Sequence, residues 1–278
     1  MTLTVEERAK VLVEALPYIK RFHGQVVVIK VGGNAIEQSK EQTLLDVVLL
    51  RYVGMQPVLV HGGGPEITAM SERLGLTAEF KNGLRVTDEK TMEVVKMVLT
   101  GKVSPDLVAS LNRLGGQAVG MSGEDGPSII AEPLSSDMGF VGKVVQVSSE
   151  PIVALIGRGY VPVIASIGLG YDGHAYNINA DTVAAEIAIA LGAAKLILLT
   201  DVPGVQGADG GVVAVMSKDD AERRIETGEV TGGMIPKLQA CLRSLDRVPL
   251  AHIIDGRVPH ALLLELFTEA GIGTMVTP

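Results

Sequence analysis

The chain has 278 residues, nearly half of them apolar and a fifth charged, with few aromatics and no tryptophan, so its core must be built from Val, Leu, Ile, Ala and Met. A formal charge of −8, with no run of Lys and Arg, excludes a nucleic-acid partner that would need a basic face. Cys241 is the only cysteine, which excludes an intrachain disulfide and suits a reducing cytoplasm.

The first twenty residues place Val5, Leu12, Val13, Leu16 and Ile19 on one helical stripe, with Glu6, Glu7, Lys10 and Lys20 elsewhere. The spacing favours a helix packed on its own domain over an arm that meets another subunit. This acidic, amphipathic start has no basic n-region before an apolar block, so no signal peptide is expected. A buried strand follows over 26–31, then a helix over 42–52, a strand over 57–60 and a helix from Pro65 to about Leu74. Residues 87–100 and 104–114 read as helices, and 118–121 and 129–131 as strands. Next come a helix over 151–157, a strand over 161–167, a helix over 181–191 and a strand over 195–200. A helix over 234–245, a strand over 251–254, a helix over 259–270 and a strand over 273–276 close the chain. The most apolar stretch, 183–199, carries Glu186 and Lys195 and is too broken for a membrane span. A soluble, cytoplasmic protein without a membrane partner is expected.

Strands alternating with helices imply a mostly parallel sheet covered on both faces, with ligands beyond the carboxyl ends of the strands. Gly32-Gly33, the run Gly62 to Gly64, and Asp201-Val202-Pro203-Gly204 each follow a predicted strand. Glycine lets backbone N–H groups approach an anion, and three such loops together suggest a bound phosphate or carboxylate. No P-loop signature occurs. Residues 168–173 do spell Gly-x-Gly-x-x-Gly after a strand, but 175–178 continues as a strand where a dinucleotide site needs a helix.

Lys30 lies inside an apolar strand just before Gly-Gly, where a lysine is costly without an anion. Lys237, taken alone, reads as surface charge. Asp181 is a plausible helix N-cap, and equally could hold a catalytic lysine in place. Arg85 offers the planar fork that suits a carboxylate. His61 beside the glycine run reads as a turn residue before a general base. The five histidines and one cysteine have no paired ligand spacing, so no protein metal site is expected.

Read together, these segments resemble the amino acid kinase family. The matching stretches are 28–33 (Val-Ile-Lys-Val-Gly-Gly), 60–65 (Val-His-Gly-Gly-Gly-Pro), 81–87 (Lys-Asn-Gly-Leu-Arg-Val-Thr), 176–181 (Tyr-Asn-Ile-Asn-Ala-Asp), 199–205 (Leu-Thr-Asp-Val-Pro-Gly-Val) and 232–237 (Gly-Gly-Met-Ile-Pro-Lys). They cover the chain in order, and the third and last are the most specific. The resemblance implies an α/β fold, an open three-layer αβα sandwich around a central, mainly parallel sheet. It also implies transfer of phosphate from ATP, carrying Mg²⁺, to the side-chain carboxylate of N-acetyl-L-glutamate. Residues 1–22 would be an oligomerisation helix, 23–176 a lobe for the acetylated amino acid and 177–278 a lobe for the nucleotide.

By position, the resemblance makes Lys30 and Lys237 stabilise the transferring phosphoryl group, with Asp181 orienting both. It gives the substrate to Gly63, Gly64, Arg85 and Asn177, and the nucleotide to Gly32, Gly33, Thr200, Asp201, Val202, Gly204, Val205, Gly232 and Gly233. A carboxylate near its ordinary pKa of about 4.3 arrives ionised, so the reaction needs charge compensation and no general base. The helix containing Leu16-Pro17-Tyr18, with 260–265 and 271–275, looks like the arginine-sensitive, hexameric version. That implies inhibition by L-arginine at Tyr18, Lys195, Glu265 and Gly273, a homo-oligomer built as a trimer of dimers, and a PII-type signalling protein as a candidate partner. The alternatives are a sister kinase for carbamate, aspartate, glutamate or a nucleoside monophosphate, and a non-catalytic arginine-binding sensor.

Overall fold

The computed structural model describes residues 4–32, 39–81, 83–207, 210–268 and 271–278. In chain order the elements are α1 (Val5–Phe22), β1 (Val26–Val31), α2 (Lys40–Tyr52), β2 (Gln56–His61), α3 (Gly64–Arg73), the hairpin β3 (Phe80–Lys81) and β4 (Leu84–Arg85), α4 (Glu89–Val98), α5 (Ser104–Arg113), β5 (Ala118–Ser122), β6 (Ile129–Pro133) and β7 (Gly142–Val147). They continue with α6 (Glu150–Gly157), β8 (Val161–Ala165), β9 (Ile167–Gly170), β10 (Ala175–Asn177), α7 (Ala180–Leu191), β11 (Lys195–Thr200), β12 (Val215–Ser217), α8 (Lys218–Glu226), α9 (Met234–Ser244), β13 (Ala251–Asp255), α10 (Ala261–Phe267) and β14 (Thr274–Thr277).

Eight strands form one sheet in the order β12-β14-β13-β11-β1-β2-β8-β5, parallel except for the β13–β14 pair. β1 shows why its residues read as a continuous apolar run. Val28 packs with Ala184, Ile187, Leu238 and Cys241 of α7 and α9 on one face. Val27 and Ile29 pack with Leu44, Val47, Leu107 and Leu262 of α2, α5 and α10 on the other. The result is the three-layer αβα sandwich with a mainly parallel sheet. β2 adjoins one edge of β1 and β11 the other, so the chain departs in opposite directions around β1 and leaves a crevice beyond its carboxyl end.

A smaller sheet, β10-β9-β6-β7, corrects one expectation. The single strand expected over 161–167 divides at Ser166: β8 stays in the large sheet and β9 joins the small one. Residues of both strands are almost wholly buried, so hydropathy carries no mark of the change. The Gly-x-Gly-x-x-Gly run turns from β9 into antiparallel β10, a strand as expected and no helix. The expected helix over 259–270 is shorter, beginning only after His260, which sits in the left-handed region at φ 59°.

The N-terminal helix also departs from the favoured reading. Thr4 caps α1 through a reciprocal box with Glu7, yet Val5, Val11, Leu12, Val13 and Leu16 are all exposed, Val5 at 84% and Leu12 at 73%. Only the last turn docks, through buried Phe22. The stripe therefore does not pack on its own domain. Five further elements, β3, β4, β7, β12 and α8, were not anticipated. α8 buries only Ala221, so its nine polar-rich residues have no apolar period to read. No helix among the described residues is long and apolar enough to cross a membrane.

Candidate active site

Lys30 is the fifth residue of β1, its side chain only 12% exposed at the carboxyl end of the central strand. Its ammonium lies 2.9 Å from Oδ1 of Asp181, and Lys237, in the first turn of α9, lies 3.0 Å from Oδ2 of the same carboxylate. Asp181 is not the N-cap of α7. Asn179 is: its Oδ1 accepts from the N–H groups of Asp181 at 2.8 Å and Thr182 at 3.2 Å. That leaves the Asp181 carboxylate, two residues further on, free to take both ammoniums. Burial alone would raise its pKa; the two lysines outweigh burial and hold it below the usual carboxylate value. Two cations on one anion leave a net positive charge facing the crevice. Lys237 is thus no ordinary surface lysine.

The Gly62–Gly64 segment follows β2 directly, and α3 begins at Gly64 with Pro65 in its first turn. Arg85 is buried against this loop, donating from Nη2 to Thr68 Oγ1 at 2.6 Å and to the Gly64 carbonyl at 3.1 Å. Its guanidinium lies 4.7 Å from the Phe80 ring centre. Its Nη1 is buried without a hydrogen-bond partner, a donor set for an incoming acceptor. Asn177, at the end of β10, donates to Thr87 Oγ1 at 3.1 Å.

These groups line one cavity of about 340 Å³, whose walls include Lys30, Gly32, Gly62 to Gly64, Arg85, Asn177, Asp181 and Lys237. A second cavity of about 440 Å³ is lined by Thr200, Asp201, Val202, Gly204, Val205, Glu229, Val230, Thr231 and Gly233. Thr200, Asp201 and Lys237 belong to both, so the lysine–aspartate cluster stands at their seam. Gly204 has φ 152°, and a Cβ there would lie 2.8 Å from Thr274 Oγ1. Gly232 precedes the second wall at φ 58° without lining it, and Gly32 lies on the first cavity instead of the second. Gly33 lies outside the described residues.

His61 ends β2, buried, with Nδ1 donating to the Gly62 carbonyl at 3.0 Å. Burial lowers its pKa to about 4, so it is neutral at physiological pH. It lines neither of these two cavities. No group of three or more His, Cys, Asp or Glu among the described residues could hold a metal ion.

A third cavity, about 1000 Å³, lies between α1 and the elements around α10. Tyr18, Lys195, Glu265 and Gly273 all line it. Glu265 is 2.7 Å from His252 Nδ1 and 3.8 Å from the Lys195 ammonium, and its Oε2 accepts from the Ile272 N–H at 2.9 Å. Burial lowers the pKa of both Lys195 and His252; it would raise that of Glu265, but His252, the Ile272 N–H and Lys195 together leave Glu265 lowered.

Several residues of these sites were not anticipated. Asn179 was legible as a cap in Asn-Ile-Asn-Ala-Asp. Thr68 carries no signal apart from the partner the fold brings to it, Thr87 lies in the matching stretch 81–87 but was given no role, and His252 is hidden in the strand run Ala-His-Ile-Ile.

The family model described as the amino acid kinase family matches residues 25–255. The acetylglutamate kinase of Kosmotoga olearia is 53% identical over 275 residues, covering 97% of each chain. That of Syntrophomonas wolfei is 51% identical over 284 residues, covering 99% of each. Among solved structures, N-acetylglutamate synthase from Neisseria gonorrhoeae, complexed with coenzyme A and N-acetylglutamate, superimposes with a TM-score of 0.87 at 25% identity over 97% of this chain. This chain spans 63% of the synthase's length. The family match over residues 25–255 and near-full-length relatives above half identity lead to one assignment: the chain belongs to the amino acid kinase family.

Proposed function

We propose that this protein transfers the terminal phosphoryl group of ATP to the side-chain carboxylate of N-acetyl-L-glutamate, forming N-acetyl-L-glutamyl 5-phosphate for arginine biosynthesis. The observation that carries this reading is the Lys30–Asp181–Lys237 cluster at the seam of two cavities, in a chain whose relatives are named acetylglutamate kinases. The acceptor, ionised, sits in the first cavity with Arg85 and Asn177 on its carboxylate and amide, and the nucleotide sits in the second. A carboxylate oxygen forms the new O–P bond as the bond to the leaving ADP oxygen breaks, and no proton moves. Lys30 and Lys237 offset the charge of two converging anions, and Asp181 keeps both ammoniums aimed at the seam. Mg²⁺ carried by the nucleotide would supply further neutralisation of the phosphate charge. Asp181 is already engaged by two lysines, so the phosphates would hold that ion, with Asp201 the other carboxylate at the seam.

In the same reading, residues 23–176 form the acceptor lobe, residues 177–278 the nucleotide lobe, and residues 1–22 join dimers into a trimer of dimers in the cytoplasm. L-arginine inhibits from the third cavity, its guanidinium on Glu265 and its other groups toward Tyr18, Lys195 and Gly273. A PII-type regulator is a further candidate partner. The decisive experiment is ADP release measured with N-acetyl-L-glutamate, glutamate, aspartate and carbamate side by side. Strong preference for the acetylated substrate is expected; preference for carbamate or a free amino acid would assign a sister activity.

A further inference from the structure

Between α4 and α5 the chain does not break. Residues Leu99–Val103 form one π turn, in which the Ser104 N–H reaches back five residues to the Leu99 carbonyl. Such turns are rarer and less favourable than α turns and recur at functional sites. This one is wedged between two glycines. A Cβ on Gly63 would lie 2.7 Å from Leu99 Cδ2 and 3.1 Å from Val103 Cγ2, while a Cβ on Gly120 of β5 would lie 2.6 Å from Ser104 Oγ. The φ of Gly63 is −178°, a value open to any residue. The nearness of the π turn, and no demand of φ, is therefore what bars a side chain at Gly63.

Leu99 is fully buried and also forms part of the first cavity's wall. Neither Leu99 nor Val103 carries a polar atom in its side chain, so each can influence the reaction only through where it holds its neighbours. Those neighbours are Gly63 and, one residue on, Gly64, whose carbonyl anchors Arg85. A regular α turn here would omit one residue and rotate α5 by about a quarter turn relative to α4, carrying Leu99 and Val103 out of alignment with the loop.

We infer that Leu99 and Val103 are positioning residues: the π turn sets the depth of the Gly62–Gly64 loop, and with it Arg85, against the acceptor carboxylate. This rests on the function proposed above only in taking the loop as the seat of an acidic acceptor. Misplacement by about 1 Å costs such reactions as much as a hundredfold.

A double-mutant cycle tests it in the full-length chain. Gly63→Ala is expected to lower kcat/KM by at least about tenfold, and Leu99→Val, which removes the colliding Cδ2, by no more than about threefold. The double variant is expected to regain most of the loss, because the 2.7 Å collision is gone and only the milder 3.1 Å contact with Val103 Cγ2 remains. Losses that simply add would overturn the inference. Val103→Ala provides a route that does not depend on the folding of Gly63→Ala. It should raise KM for the acceptor several-fold with KM for ATP unchanged, and an unaltered acceptor KM would count against the π turn. The cycle is read on whichever acceptor the wild-type chain phosphorylates, so an unexpected acceptor would sink the substrate assignment and leave the positioning role of Leu99 and Val103 standing.

Discussion

Lys30, Asp181 and Lys237 form a unit in which each residue makes the others tolerable. A carboxylate at 4% side-chain exposure is expensive unless it is paired, and two ammoniums at 12% and 18% need a shared counter-ion. Lys30→Ala or Lys237→Ala is expected to lower kcat by about a hundredfold to a thousandfold, the usual effect of losing one preorganised charge-stabilising donor. Circular dichroism should show the fold intact, and wild-type turnover in either variant would refute the role. His61 makes a different prediction because it is buried and neutral. Its folded-state pKa, about 4, lies below the ordinary 6.5, so the unfolded chain binds more protons between those values. Stability is therefore fully present above pH 6.5 and is lost as pH falls toward 4, by about 3 kcal/mol from this residue. Thermal melts across that range should flatten in His61→Asn, and an unchanged slope would show that His61 does not titrate this way. Asp181 adds to the same acid limb lower down, since the stability from its depressed pKa is complete above its ordinary value and is lost as pH falls through the folded one.

Helix α1 was readable as a helix from its apolar stripe, but its partner was not. An apolar stripe states only that something covers it. Val5, Leu12, Val13 and Leu16 stay exposed on a helix whose one fully buried side chain among those described is Phe22, so this chain's own core does not cover the stripe. Leu12→Asp with Leu16→Asp should leave the fold of the subunit and basal kinase activity unchanged, because neither residue is buried within its own chain. Under the proposed trimer of dimers and arginine site, the same pair should leave dimers in light scattering and weaken the proposed inhibition by L-arginine. A hexamer that persists in the double variant would exclude α1 as the joint. Elsewhere, element prediction succeeded where apolar spacing was strong, as in β1, β2, α7 and β11, and failed for β12 and α8, whose burial is slight.

At the scale of the whole molecule, the αβα architecture and the crevice at β1 follow from alternation that the sequence displays openly. Continuous apolar strands need cover on both faces, glycines mark the strand ends, and a lysine inside β1 needs an anion; these depend on neighbours a few residues apart. What the sequence by itself determined was therefore the layers, the turns and a lysine at the carboxyl end of β1 that needs a counter-ion. It did not determine which groups meet. Lys237 finds Asp181 across 56 residues, and His260 lies 2.6 Å from Asp46 across 214. The run over 161–167 serves two sheets, and the π turn acquires meaning only against Gly63 and Gly120. Those pairings were decided by the tertiary structure, because parallel strands are joined by long crossovers, and the residues brought together at their ends are chosen by how the layers pack and by no local propensity.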